Sequence, residues 1–300
     1  MPLWISFTLL AAIMQAVRTA GQKSLSGSVS AMATTFVRYW YGLPFVFCYL
    51  SLLLVLNPDW AKQISITTFT GNARFLFFAT SASVAQIAAT YALIKVFTQR
   101  NFAVGTSFAK TEAIQVALLG SLLFADYLNW LGWLAVISGV VGTVVISGKD
   151  VFKRGSRNTS LYGLASGALF AVTSLFLREA SLSLGLPLVL SAVLTLAFMV
   201  CLQSVVCALY LNIWEKPQWQ RMKSVKKSCW FVGATSALGS VGWFTAMSLQ
   251  NAALVKILGQ VEFFITLAIT HFYFREKIAR FEWWGMVLIV ASVLLVLQYR

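Results

Sequence analysis

Five ionisable residues stand clearly inside long apolar stretches of this chain, away from their ends: Arg38, Lys110, Glu112, Lys256 and Glu262. An ionised side chain at the centre of a bilayer costs roughly 2.5–3.5 kcal/mol even on the mildest scale, so such residues point to a function or a partner. The two glutamates fall near the middle of their stretches. A carboxylate at half depth can carry a proton, hold a substrate amine or balance a neighbouring cation, depending on its desolvation and on what sits beside it. Glu112 and Glu262 are therefore candidates for substrate binding and for proton coupling. Lys110 and Glu112 are two positions apart, about 200° around a helix, and cannot share one cavity wall. Lys256 precedes Glu262 by six residues, roughly 9 Å along a helix axis. Pairing between helices is more natural, Glu112 with Lys256 or Glu262 with Lys110. Such pairs are either fixed structural bridges or the lining of a transport cavity.

Three cations against two glutamates leave an excess of one positive charge, which favours a carboxylate-bearing or zwitterionic cargo over a simple cation. Arg38 stands between Phe36-Val37 and Tyr39-Trp40-Tyr41. It can clamp a carboxylate with its planar fork, stack on its aromatic neighbours, or extend outward to the membrane surface. Uncharged candidates for the cavity wall are Gln15, Gln86, Gln115, Ser240, Trp243 and Gln260, each also suited to a hydrogen bond between helices. His271 reads as an interfacial residue.

Other chemistries find no residues. The chain has one histidine and four cysteines (Cys48, Cys201, Cys207, Cys229) without a Cys-x-x-Cys spacing, so neither a metal site nor a disulfide is expected. No Gly-x-x-x-x-Gly-Lys-Ser/Thr phosphate loop is present, no nucleophile–base pair suggests an enzyme, and no cofactor is implied. The net charge of +14 does not mark a nucleic-acid partner, because the basic residues lie between apolar runs rather than on one polar, aromatic-rich segment.

The elements that must hold these residues follow from composition. The 300 residues are 59% hydrophobic and 11% charged, with a mean hydropathy of +0.79; soluble domains are nearer one quarter charged. Apolar runs fall at 3–20, 31–56, 73–97, 101–124, 128–148, 160–180, 186–212, 229–249, 252–274 and 282–299. Each is too long for a barrel strand and lacks two-residue alternation, so the reading is an all-α integral membrane protein of ten transmembrane helices. Sixteen of the 23 basic residues fall in loops joining an odd helix to the next even one. Four (Lys62, Arg74, Arg178, Arg300) fall on the other side, and three (Arg38, Lys110, Lys256) inside helices. The positive-inside rule then makes the odd-to-even loops cytoplasmic and puts both termini outside a plasma (inner) membrane.

The sequence also repeats. Val104-Gly105-Thr106 through Glu112 corresponds to Leu254-Val255-Lys256 through Glu262, 150 residues on, and the same shift takes Phe124-Ala125-Asp126 to Phe274-Arg275-Glu276. Ala16-Val17-Arg18 similarly matches Phe176-Leu177-Arg178. Residues 1–150 and 151–300 thus read as two five-helix units. Because five is odd, they must be inverted relative to one another, as in many carriers.

These features resemble the drug/metabolite transporter superfamily, specifically its ten-helix EamA type. The resemblance rests on Tyr91-Ala92-Leu93 and Phe244-Thr245-Ala246-Met247, on the small-residue turns Phe102-Ala103-Val104 and Ala252-Ala253-Leu254, and on Phe-x-Asp/Glu helix ends followed by Leu131-Gly132-Trp133 and Trp284-Gly285. It implies two inverted repeats around a central cavity lined by the first four helices of each half, with the fifth and tenth peripheral. The family's proline in the fourth and ninth helices is replaced here by Glu112 and Glu262 nearby, and relatives such as nucleotide-sugar transporters have cytosolic termini, the reverse of the charge count. The function expected is secondary-active or facilitative transport of a small polar metabolite, an amino acid or related zwitterion or anion, by alternating access and in the direction of export. Two rivals stand beside it: a lipid-linked sugar flippase, and a non-transporting membrane scaffold or enzyme subunit. The expected partners are the small-molecule substrate, protons and lipid.

Overall fold

The computed structural model describes residues 2–98, 111–146, 157–265 and 280–298. Among them the regular structure is helical and there is no strand. Helix α1 (Leu3–Leu25) is followed by α2 (Ala31–Trp40) and α3 (Leu43–Leu56), which together form one apolar span broken at Tyr41-Gly42. The break has a local cause. Pro44 stands in the first turn of α3, where it lacks an N–H for the carbonyl of Trp40 and its ring would collide with that carbonyl. Two short helices, α4 (Pro58–Gln63) and α5 (Ile66–Thr70), lead into α6 (Ala73–Phe97). Asn72 caps α6 by accepting from the Phe75 N–H at 2.8 Å and donates to the Ser183 carbonyl at 2.7 Å, which ties the start of α6 to the end of a later helix.

Helix α7 (Glu112–Phe124) ends on Ala125 in the left-handed conformation at φ 54°, with the Asp126 N–H bonded to the Gly120 carbonyl at 3.1 Å. This closure usually employs glycine, and alanine tolerates it at a small steric penalty. Then come α8 (Trp130–Ile146), α9 (Arg157–Ser183), α10 (Leu188–Trp214), the short α11 (Gln218–Ser224) and α12 (Lys226–Leu249). Helix α13 (Ala252–Leu258) tightens into a 3₁₀ turn at Gly259–Val261, and α14 (Arg280–Gln298) closes the chain. Among the described residues five helical spans are long and apolar enough to cross a membrane: Leu3–Leu25, Ala31–Leu56, Ala73–Phe97, Leu161–Ser183 and Leu188–Trp214.

Burial is distributed as a bilayer requires. Large apolar side chains such as Val55, Leu122, Leu161 and Val287 point outward, while Arg18, Arg38, Gln203 and Glu262 are buried. In water this exterior would be an aggregation surface. Against lipid it is the favourable arrangement, since unpaired polar groups must turn inward. The chain is a multi-pass membrane protein.

Helices pack in antiparallel pairs. In α6 and α9, Ser166 donates to the Ala89 carbonyl at 3.0 Å. In α1 and α12, contact runs from Gly21 against Val232 to Gly242 against Phe7. In α8 and α14, Ser138 donates to the Leu288 carbonyl at 2.9 Å and Ser292 to the Ala135 carbonyl at 2.7 Å. Main chain approaches main chain closely between α12 and the kink after α2, where a methyl group on Gly233 would lie 2.5 Å from the backbone of Tyr41. That neighbour is main chain and cannot rotate away. Gly233→Ala is accordingly expected to destabilise the detergent-solubilised protein by about 1–3 kcal/mol, read as a lowered melting midpoint. Gly27→Ala, whose methyl would meet nothing nearer than 3.5 Å, is expected to melt close to the parent.

Candidate functional site

A cavity of about 770 Å³, counted to its open mouth, lies where α1, α2, α6, α7, α9, α12 and α13 converge. Its charged lining is Arg18, Arg38, Glu112 and Lys256. Helix geometry explains the placement of Gln15, Arg18 and Thr19 on one wall, since positions three and four apart share a face of α1. Ser240, Trp243, Phe244 and Met247 form a second such stripe on α12.

The expected pairing between helices is present. Lys256 Nζ lies 2.6 Å from Glu112 Oε1, and Ser174 Oγ donates to the same carboxylate oxygen at 3.3 Å. The ammonium also sits 4.4 Å from the centre of the Trp243 ring. A cation over an indole face out of bulk water gains about 2 kcal/mol or more. Trp243 in turn donates from Nε1 to Gln15 Oε1 at 2.9 Å, and Gln15 Nε2 donates to Glu262 Oε2. The two glutamates thus belong to one polar chain running Glu112, Lys256, Trp243, Gln15, Glu262. Trp243 reaches this position because Gly259 has no side chain: a methyl there would meet the indole at 2.3 Å. The 3₁₀ turn beginning at Gly259 lies against this ring, as expected for an irregular segment beside a functional site.

A smaller chamber of about 360 Å³ adjoins the first and shares Gln15, Glu112, Trp243 and Lys256 with it. Gln260 and Glu262 line this second chamber rather than the main one. Gln86 lines the main cavity and accepts from Gln203 Nε2 at 2.8 Å. Gln115 lines neither: its Nε2 donates to Thr111 Oγ1 at 2.8 Å, one helical turn back. Lys110 and His271 lie outside the described residues. Arg38 is 5% exposed and donates to Thr90 Oγ1 at 2.8 Å, so it points inward rather than extending to the membrane surface.

Arg18 is the residue that sequence reasoning misplaced. The charge count places it in the first loop although it stands within the run 3–20; α1 continues to Leu25, and Arg18 is 3% exposed on the cavity wall. The signal that identifies it is its match to Arg178. That residue is held away from the cavity, with Nη1 3.2 Å from Asp126 Oδ2, and Glu179 beside it bridges to Arg74 at 2.7 Å. Phe78, Phe124 and Phe176 pack edge-on or tilted around one another next to these pairs. Partial burial raises the Asp126 carboxyl above the ordinary carboxylate range, against the opposing pull of Arg178. Among the described residues no group of three potential metal ligands occurs.

Residues 158–298 match the model of the EamA-like transporter family, a branch of the drug/metabolite transporter superfamily. Members of that family are membrane transporters of small molecules rather than enzymes. No curated protein matches the chain. Among solved structures 26 chains match. One, titled "Crystal structure of protein", superposes with a TM-score of 0.70 at 15% identity, over 98% of this chain and 99% of its own, a likeness of fold.

The Glu112–Lys256 contact makes a stability prediction. Glu112→Gln or Lys256→Gln alone strands a partner charge out of water and should cost about 3–5 kcal/mol, whereas the double substitution should cost less than the sum of the two. Melting midpoints of the three variants test this; additive losses would show that the two groups are not coupled.

Proposed function

We propose that this chain is a secondary carrier that moves a small polar metabolite with an anionic group through the central cavity by alternating access. The observation that carries the reading is that both halves of the chain build the charged site: Arg18, Arg38 and Glu112 come from the first, Trp243 and Lys256 from the second. A site at such a junction changes its exposure when one half rocks against the other.

Ten transmembrane helices in two inverted units are part of the proposal, with α8 and α14 at the periphery. The helix pairs support it. The α8–α14 contact between Ser138 and Leu288 joins positions 150 residues apart, so exchanging the halves maps this antiparallel contact onto itself. The α1–α12 and α6–α9 pairs likewise exchange, Phe7 against Gly242 answering Ser166 against Ala89. Moving Arg18 into α1 leaves the loop bias in the same direction, which supports cytoplasmic odd-to-even loops and external termini. The Arg178–Asp126 and Arg74–Glu179 bridges with their phenylalanine cluster are then a closure on the external face.

Counterflow in proteoliposomes tests the carrier. Uptake of labelled solute against an unlabelled internal pool is expected from the parent. Gly259→Ala, which displaces Trp243 from Lys256, is expected to lower that uptake about tenfold or more, equivalent to roughly 1.4 kcal/mol. Absence of counterflow across a broad metabolite panel would sink the reading. Proton coupling is assigned to Glu262 or Glu112. Glu262→Gln or Glu112→Gln should flatten the pH dependence of flux, and a variant that keeps the parent's full pH profile rejects that glutamate.

A further inference from the structure

Resting on the reading of the main cavity as the transport site, we infer that its cargo is an organic anion without an ammonium group, held between the guanidinium groups of Arg18 and Arg38, with dianions bound most tightly.

Three observations meet here. First, both arginines are more than nine-tenths buried and both line this cavity. Second, their donors are largely unmet: Nε and Nη1 of Arg18 and Nε of Arg38 have no hydrogen-bond partner. Arg18 makes one long contact, from Nη2 to Gln15 Oε1 at 3.4 Å, and Arg38 one bond to Thr90. An arginine stays charged in any protein setting, so these are fixed positive groups whose fork matches carboxylate or phosphate oxygens. Both guanidinium groups border the same cavity, where like charges repel. A buried like-charge pair with idle donors is the arrangement an anion relieves.

Third, among the described residues the cavity has no acidic group to spare for a substrate amine. Glu112 is the one carboxylate in that lining, and Lys256 already neutralises it at 2.6 Å. Glu262 faces the adjoining chamber and accepts from Gln15. Counting the main lining alone, three cations stand against one carboxylate, an excess of two charges. A zwitterion would place its ammonium in a field already positive. A dianion cancels the excess.

A matched four-carbon series distinguishes the classes: succinate, butyrate, 4-aminobutyrate and butane-1,4-diol, with glycerol 3-phosphate to separate phosphate esters from dicarboxylates. Thermal unfolding of the purified full chain at constant ionic strength is the readout, because a ligand that binds the folded state raises the melting midpoint. The expected order is a shift of several degrees with succinate, glycerol 3-phosphate or both, less with butyrate, and none with 4-aminobutyrate or the diol. Arg18→Gln and Arg38→Gln should each weaken the anion response about tenfold or more. A measurement on the parent covers the case in which a variant does not fold: the same anions should protect Arg18 and Arg38 from phenylglyoxal, followed by peptide mass spectrometry. A response to 4-aminobutyrate equal to that of succinate, no response to any anion, or unprotected arginines would overturn the inference. Counterflow of some other solute that the anions do not compete with would sink the anion site and leave the carrier standing. Anion binding without any counterflow would do the reverse.

Discussion

Hydrocarbon offers no hydrogen bonds and little dielectric screening, and most of this structure follows from that. Every charge placed at depth must find a partner, a cavity or a way out. Lys256 and Glu112 find one another, and the indole of Trp243 and the hydroxyl of Ser174 complete their surroundings. Arg18 and Arg38 find a cavity instead. The same constraint turns the aliphatic side chains outward and permits only helices or closed barrels as membrane-crossing elements, and this chain forms helices. The site and the fold are two consequences of one solvent.

Departures from regular helix occur where they border the polar interior. The 3₁₀ turn at Gly259–Val261 lets Trp243 lie against the backbone of α13 and over Lys256. The kink at Tyr41-Gly42 brings α2 and α3 against Gly233 and leaves Arg38 and Tyr39 facing inward, with the Tyr39 hydroxyl donating to the Gln86 carbonyl at 3.2 Å. Non-helical backbone at membrane depth is tolerated when protein or a cavity satisfies it, and both interruptions meet that condition.

Two matching arginines illustrate how one motif takes two states. Arg178 is bridged to Asp126 beside a packed phenylalanine cluster. Arg18, its counterpart in the first half, stands in the cavity with idle donors. In the carrier proposed above, that difference leaves one end tied and the other available.

The sequence by itself determined the solvent and the class of fold. Ten apolar runs, polar residues confined to gaps, and charges within the runs sufficed for a helical membrane protein, because hydropathy is a sum over local residues. It also identified Glu112, Lys256, Trp243 and Gln86 as candidates, and it allowed the Glu112–Lys256 pair as one of two options, since helical spacing excludes neighbours two apart from a shared face. Tertiary structure decided the rest. Arg18 is a cavity residue because its face of α1, shared with Gln15 and Thr19, turns toward the other helices, which hydropathy does not encode. Gln115 left the site because its own helix offered Thr111 at the right distance. Glu262 moved behind Gln15 into a second chamber. Which side chains converge depends on contacts between helices far apart in the chain, and those energies are absent from any local window of residues.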